Sequence, residues 1–162
     1  MANYNGTDED DIIDASTLDS DVGRIYPGKG NDTITNAKSG QTIVSSPGED
    51  NISGSNFDYA FWNATEAVTI NLKEGWSEDG FGTRDTVSGV STIHGSRFGD
   101  TFYGTDNYEK FFANRGNNIL NMGGGDDLVS YANGNSKDYT VNLVGEEIHV
   151  TGQLHEFLLL LN

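Results

Sequence analysis

Four isoleucines, Ile25, Ile34, Ile43 and Ile52, stand nine residues apart without exception. Phe102, Phe111, Leu120 and Val129 repeat that spacing further on. Two residues before these positions come Asp32, Gln41 and Asp50 in the first block, and Asp100, Glu109, Asn118 and Asp127 in the second. An opening copy, GTDEDDIID, puts Asp11 and Ile13 in the same two slots, with Asp11 out of phase with Asp32. A strict nine-residue period fits neither an amphipathic helix nor a simple strand alternation, so it is read as a coil.

Composition says how such a coil turns. Of 162 residues, 21 are Gly, 17 Asn and 16 Asp, a third of the chain in three strong turn formers that are poor in helix interiors. Each unit is therefore about six turn residues followed by a short strand with one apolar side chain inward. Glycine supplies positive φ and close backbone approach. Two units return the chain to its starting side, so one coil is a pair of units. Ile25 is expected to stack on Ile43 and Ile34 on Ile52, in opposite sheets; Phe102 pairs with Leu120 and Phe111 with Val129. A single coil cannot bury its apolar face, so stability comes from stacking.

The units PGKGNDTIT, SPGEDNIS, GSRFGDTFY and MGGGDDLVS resemble the G-G-x-G-x-D-x-U-x nonapeptide of the RTX (hemolysin-type calcium-binding) family. The likeness covers most of residues 5–131, with Gly28 to Ile34 and Gly123 to Val129 as near-complete motifs. It implies a parallel β-roll with Ca²⁺ held between turns of successive coils.

Calcium takes six to eight oxygens, mixing carboxylates with backbone carbonyls. Turns on one edge lie two units apart, so each ion is expected between one pair. Asp32 and Asp50 form the best pair, with carbonyls from Gly28, Gly30 and Gly48. In the second block Glu109 pairs with Asp127, beside Gly125, and Asp100 with Asn118; Asp11 belongs to the irregular first copy. Glu109 is longer than the family's Asp, and Asn118 brings oxygen without charge. Gln41 leaves its edge without a carboxylate, and no ion is expected there. Two to four ions are expected, and an ion-free chain should be expanded by unrelieved repulsion. The plainer alternative is a metal-free solenoid whose Asp and Asn are turn residues only.

Residues 59–93 break the period. Val68, Ile70 and Leu72 alternate with polar residues as in a half-buried strand, and GWSEDGFGTRD reads as a loop. Phe61, Trp62, Trp76 and Phe81 lie there, either as a cover packed on the roll or as a carbohydrate-stacking platform. Tyr103, Tyr108 and Phe112 flank the second ladder. After Ala132, DYTVNL and EIHVTG resemble a hairpin and LHEFLLLLN a last strand. Val141, Leu143, Ile148 and Val150 are read as an end cap, with Leu158 to Leu161 as the alternative docking strip for a partner or a second copy.

The expectation is thus one all-β domain. It is a parallel β-roll or β-solenoid of nine-residue half-coils (5–58 and 94–131), with an irregular insertion (59–93) and a C-terminal antiparallel β cap (132–162). A formal charge of −16 argues against nucleic acid and anionic lipid. The longest apolar run, Phe157 to Leu161, is too short to span a membrane. Cys is absent, as is any Sec-type signal peptide at the N-terminus. Three histidines, His94, His149 and His155, fall in no catalytic signature. The chain reads as a non-enzymatic, calcium-folded module of a secreted, cell-surface or virion structure, exported by a type I-like route. The alternative is a calcium-dependent adhesion or glycan-binding module using exposed aromatics. A Met start that runs straight into repeats is compatible with a small complete protein.

Overall fold

The computed structural model describes residues 1–130 and the backbone of 140–143, 147–151 and 158–161. Its strands are β1 (Ala2–Asn5), β2 (Ile12–Asp14), β3 (Val22–Tyr26), β4 (Thr33–Lys38), β5 (Thr42–Val44) and β6 (Asn51–Ala60) in the first block. Then come β7 (Thr69–Asn71), β8 (Trp76–Glu78), β9 (Arg84–His94), β10 (Thr101–Tyr103), β11 (Lys110–Phe112), β12 (Ile119–Asn121) and β13 (Asp126–Ser130). The last three are β14 (Thr140–Leu143), β15 (Glu147–Thr151) and β16 (Leu158–Leu161). Among the described residues no helix is long and apolar enough to cross a membrane.

The chain is a parallel β-solenoid of about seven turns. On one face Ile25, Ile43, Tyr59, Ile93, Phe111 and Val129 stack in register. On the other Ile13, Ile34, Ile52 and Val87 do so. Phe102 pairs with Leu120, as the period requires. All of these side chains are buried, and the residues on either side of each mostly point outward, which is the alternation of a strand with one face inside.

The insertion behaves differently from expectation. Rather than lying over the roll, it is built into one face. β9 pairs antiparallel with β8, β8 antiparallel with β7, and β7 parallel with β10. Two strands thus enter one face with no counterpart on the other, where Tyr59 and Ile93 are direct neighbours. At roughly 4.8 Å per strand, that face is longer by about 10 Å and must bow. The wider interior is filled by rings: Tyr59 against Phe61 at 4.5 Å between centroids, and Phe102 against Phe111 at 5.3 Å. The ladder changes from Ile to aromatic where the coil widens.

The expected antiparallel cap is also corrected. β15 pairs in parallel with β13, matching Val129 to Val150, and β14 pairs in parallel with β16, matching Val141 to Leu159. The parallel pairing therefore continues past the last glycine-rich turn, its period disguised by a step from Val129 to Val150 that is no multiple of nine. Burial of Val141, Leu143, Ile148, Val150 and Leu158 to Leu161 lies outside the described residues.

Candidate metal centre

The acidic slots sit where turns stack along the edges of the roll, and the stacking is tight. A Cβ on Gly28 would overlap the Thr7 carbonyl oxygen, and one on Gly48 the Gly30 carbonyl. Gly28 also has a φ of 117°, which L side chains rarely adopt. The glycines bring successive backbones together, and the carboxylate at the end of each turn is carried inside.

There the carboxylates form a ladder. Asp32 Oδ1 accepts the Asp11 N–H at 2.8 Å, Asp50 Oδ1 the Asp32 N–H at 2.9 Å and Asp85 Oδ1 the Asp50 N–H at 3.1 Å. Asp100 Oδ1 accepts the Val68 N–H at 3.2 Å, and Asn118 Oδ1 the Asp100 N–H at 2.9 Å. On the opposite edge Asp127 Oδ1 accepts the Glu109 N–H at 2.9 Å. Each side chain satisfies a backbone donor on the preceding coil, in turns too irregular for strand pairing to do so.

The second carboxylate oxygen decides what else a turn can do. When the residue four positions earlier is Ser or Thr, it turns back onto the carboxylate. Ser46 Oγ donates to Asp50 Oδ2 at 3.0 Å, and the Ser96 N–H to Asp100 Oδ2 at 2.7 Å. The Thr105 hydroxyl and N–H both donate to Glu109, and those of Thr7 to Asp11. At Asp32 and Asp127 the corresponding residue is Gly28 or Gly123, which has no hydroxyl. Asp32 Oδ2 and Asp127 Oδ2 are the buried side-chain oxygens left without a hydrogen-bond partner among the described residues. The close approach that demands glycine is what strips these two carboxylates of a partner: a Cβ on Gly123 would overlap the Thr105 carbonyl.

Burial raises the pKa of Asp32, Asp100, Glu109 and Asp127 above the usual carboxylate range. It pushes Asp50 up to about 6, with the Asp32 N–H and the Ser46 hydroxyl opposing. It pushes Asp85 up to about 7, against the hydroxyl of Tyr59, which donates to Asp85 Oδ2 at 2.6 Å.

The expected ligand set is therefore redistributed. Asp32 and Asp50 are brought together, but through a carboxylate on a backbone N–H, and both Asp50 oxygens are already bonded. The same holds for Glu109 beside Asp127. Asp100 is fully engaged, and the Asn118 amide donates weakly to the Arg115 and Gly116 carbonyls at 3.4 and 3.5 Å. Asp11 is held by Thr7. Gln41, in the slot without charge, accepts the Lys38 N–H and donates to the Ala15 carbonyl. Among the described residues no three His, Cys, Asp or Glu side chains cluster as a metal-binding group. From the sequence, Asp85 in RDTVS is an out-of-phase copy with no ligand role, and Tyr59 carries no signal, because the insertion hides their phase. Sequence reading also missed Ser46, Ser96 and Thr105, although their fixed spacing ahead of each acid is a signal in the sequence. No family model matches the chain, and no curated protein matches it.

Proposed function

We propose that the chain is a non-enzymatic, calcium-binding structural β-solenoid, with the ions taken at Asp32 and Asp127 rather than along the whole acidic ladder. The observation that carries this reading is the pair of buried carboxylate oxygens, Asp32 Oδ2 and Asp127 Oδ2, without a partner. A buried carboxylate oxygen left unpaired costs free energy that a cation recovers. The donors expected beside these carboxylates are all hard oxygens, the backbone carbonyls of Gly28, Gly30 and Gly48 for Asp32 and of Gly125 for Asp127. That set suits Ca²⁺, which accepts irregular oxygen cages, better than Mg²⁺, which holds to octahedral geometry, or Zn²⁺, which favours nitrogen and sulfur. One carboxylate per site makes a weak site, in the affinity range of roughly 10⁻⁴–10⁻³ M typical of extracellular modules. A secreted, cell-surface or virion component is the setting where such a site fills.

The test is thermal unfolding in EGTA and in Ca²⁺. At 100 times its dissociation constant an ion adds about 2.7 kcal/mol per site, hence a Tm rise of about 5–10 °C for each. An equal concentration of Mg²⁺ should do little. An unchanged Tm at about 100 mM Ca²⁺, roughly 100 times the weakest dissociation constant expected, would remove the metal from the account and leave a hydrogen-bonded solenoid.

A further inference from the structure

The strongest feature outside the acidic ladder is cationic. Trp62, Ser96, Arg97, Asn114 and Arg115 line a surface cavity of about 340 Å³. Arg97 and Arg115 occupy equivalent places on stacked turns: the Asp100 N–H donates to Asn118, and Gly116 packs on the backbone of Phe98 and Gly99. Two exposed arginines thus line one hollow. Among the described residues neither has a carboxylate within ion-pair distance, although the chain carries 25 Asp and Glu. An anion seated in this cavity would meet both guanidinium groups at once.

The surroundings keep that charge positive. The slot beneath Arg115 is Asn118, the neutral member of the acidic ladder. Asp100, beneath Arg97, is buried and turned inward onto Val68 and Ser96. Farther acids count for little, because the Debye length is about 8 Å at physiological salt. The aromatic side of the cavity continues the same chemistry. Trp62 carries the Arg24 guanidinium 5.3 Å from its ring centroid and meets His94 edge-on at 5.3 Å. His94 stacks on Phe112 at 4.8 Å, with Asp58 3.3 Å from its Nε2 as the acid facing this strip.

We infer that this cavity binds an acidic sugar, with the carboxylate on Arg97 and Arg115 and the ring face against Trp62. Guanidinium groups bind carboxylates in paired, charge-assisted hydrogen bonds, and an indole face suits the C–H face of a pyranose. Asn114 lines the cavity where a sugar hydroxyl would lie; its amide donates to the Gly95 carbonyl, which leaves its oxygen to accept. Ser96 beside it is buried, its hydroxyl donating to Asp100 and accepting the Phe98 N–H, and it shapes the cavity floor only. The cavity is in the size range of small-molecule sites. The site uses no ladder carboxylate and does not depend on the calcium reading.

Calorimetric titration with trigalacturonate, and with maltotriose as the neutral control, tests it. Trigalacturonate should bind and maltotriose should not. The double variant Arg97→Gln/Arg115→Gln should bind trigalacturonate at least tenfold more weakly at unchanged Tm, since both residues are exposed. Trp62→Ala should weaken binding as well, and Arg84→Gln, on a guanidinium already paired with Glu78, should not. Absence of trigalacturonate binding, equal binding of maltotriose, or an affinity unmoved in the double Gln variant would each overturn the assignment.

Discussion

At the scale of single residues, the acidic positions divide by what stands four residues earlier. With Ser or Thr there, a carboxylate is complete; with Gly, it has an oxygen to spare. Ser46→Ala should therefore release Asp50 Oδ2, at a cost of about 1–3 kcal/mol in EGTA and less in Ca²⁺, read as paired denaturant midpoints. Asp85 makes a second residue-scale prediction. Its folded pKa of about 7 lies above the ordinary value of 3.8, so the folded state holds its proton more tightly. The stability this gives is complete below the ordinary carboxylate pKa and is lost as pH rises through the folded one. Asp50, at about 6, acts in the same direction. Without calcium the chain should accordingly melt higher at pH 5 than at pH 8. Asp85→Asn should flatten that profile and raise the melting temperature at pH 8, because the amide carries no charge to bury. A Tm that climbs between pH 5 and pH 8 in EGTA would contradict the sign.

At the scale of elements, the half-coils were legible because each places one buried side chain at a fixed position. Ile25 to Ile43 and Phe102 to Leu120 pair as the nine-residue count requires. The count failed where strands enter by another route. Ile52 pairs with Val87 and Tyr59 with Ile93, and neither step is a multiple of nine. β7 was visible as an alternating strand, but its partners were not, because local pattern carries no information about which sheet receives a hairpin. The C-terminal strands misled for a related reason: two strands joined by a short turn read as a hairpin, whereas here they join different neighbours. The aromatic rungs at the widened coil give the packing test. Phe102→Ala should cost about 3–5 kcal/mol, while Tyr103→Ala, whose side chain points outward, should stay within about 0.5 kcal/mol. Equal costs would mean that the ring does not fill the bowed interior.

At the scale of the whole molecule, the −16 charge is less uniform than its total. One part is folded inward as a ladder that satisfies backbone donors, two carboxylates are left with an oxygen to spare, and one pocket carries the opposite sign. The nine-residue pattern marks the turns that carry the acids, but a one-dimensional motif does not show which carboxylate oxygen is already bonded. The sharpest test is calorimetric Ca²⁺ titration of the full chain beside Asp32→Asn/Asp127→Asn and Asp50→Asn/Asp100→Asn. Two ions per wild-type chain are expected, with none in the first variant and two in the second. No binding by the wild type, or a stoichiometry that survives loss of Asp32 and Asp127, would contradict the assignment.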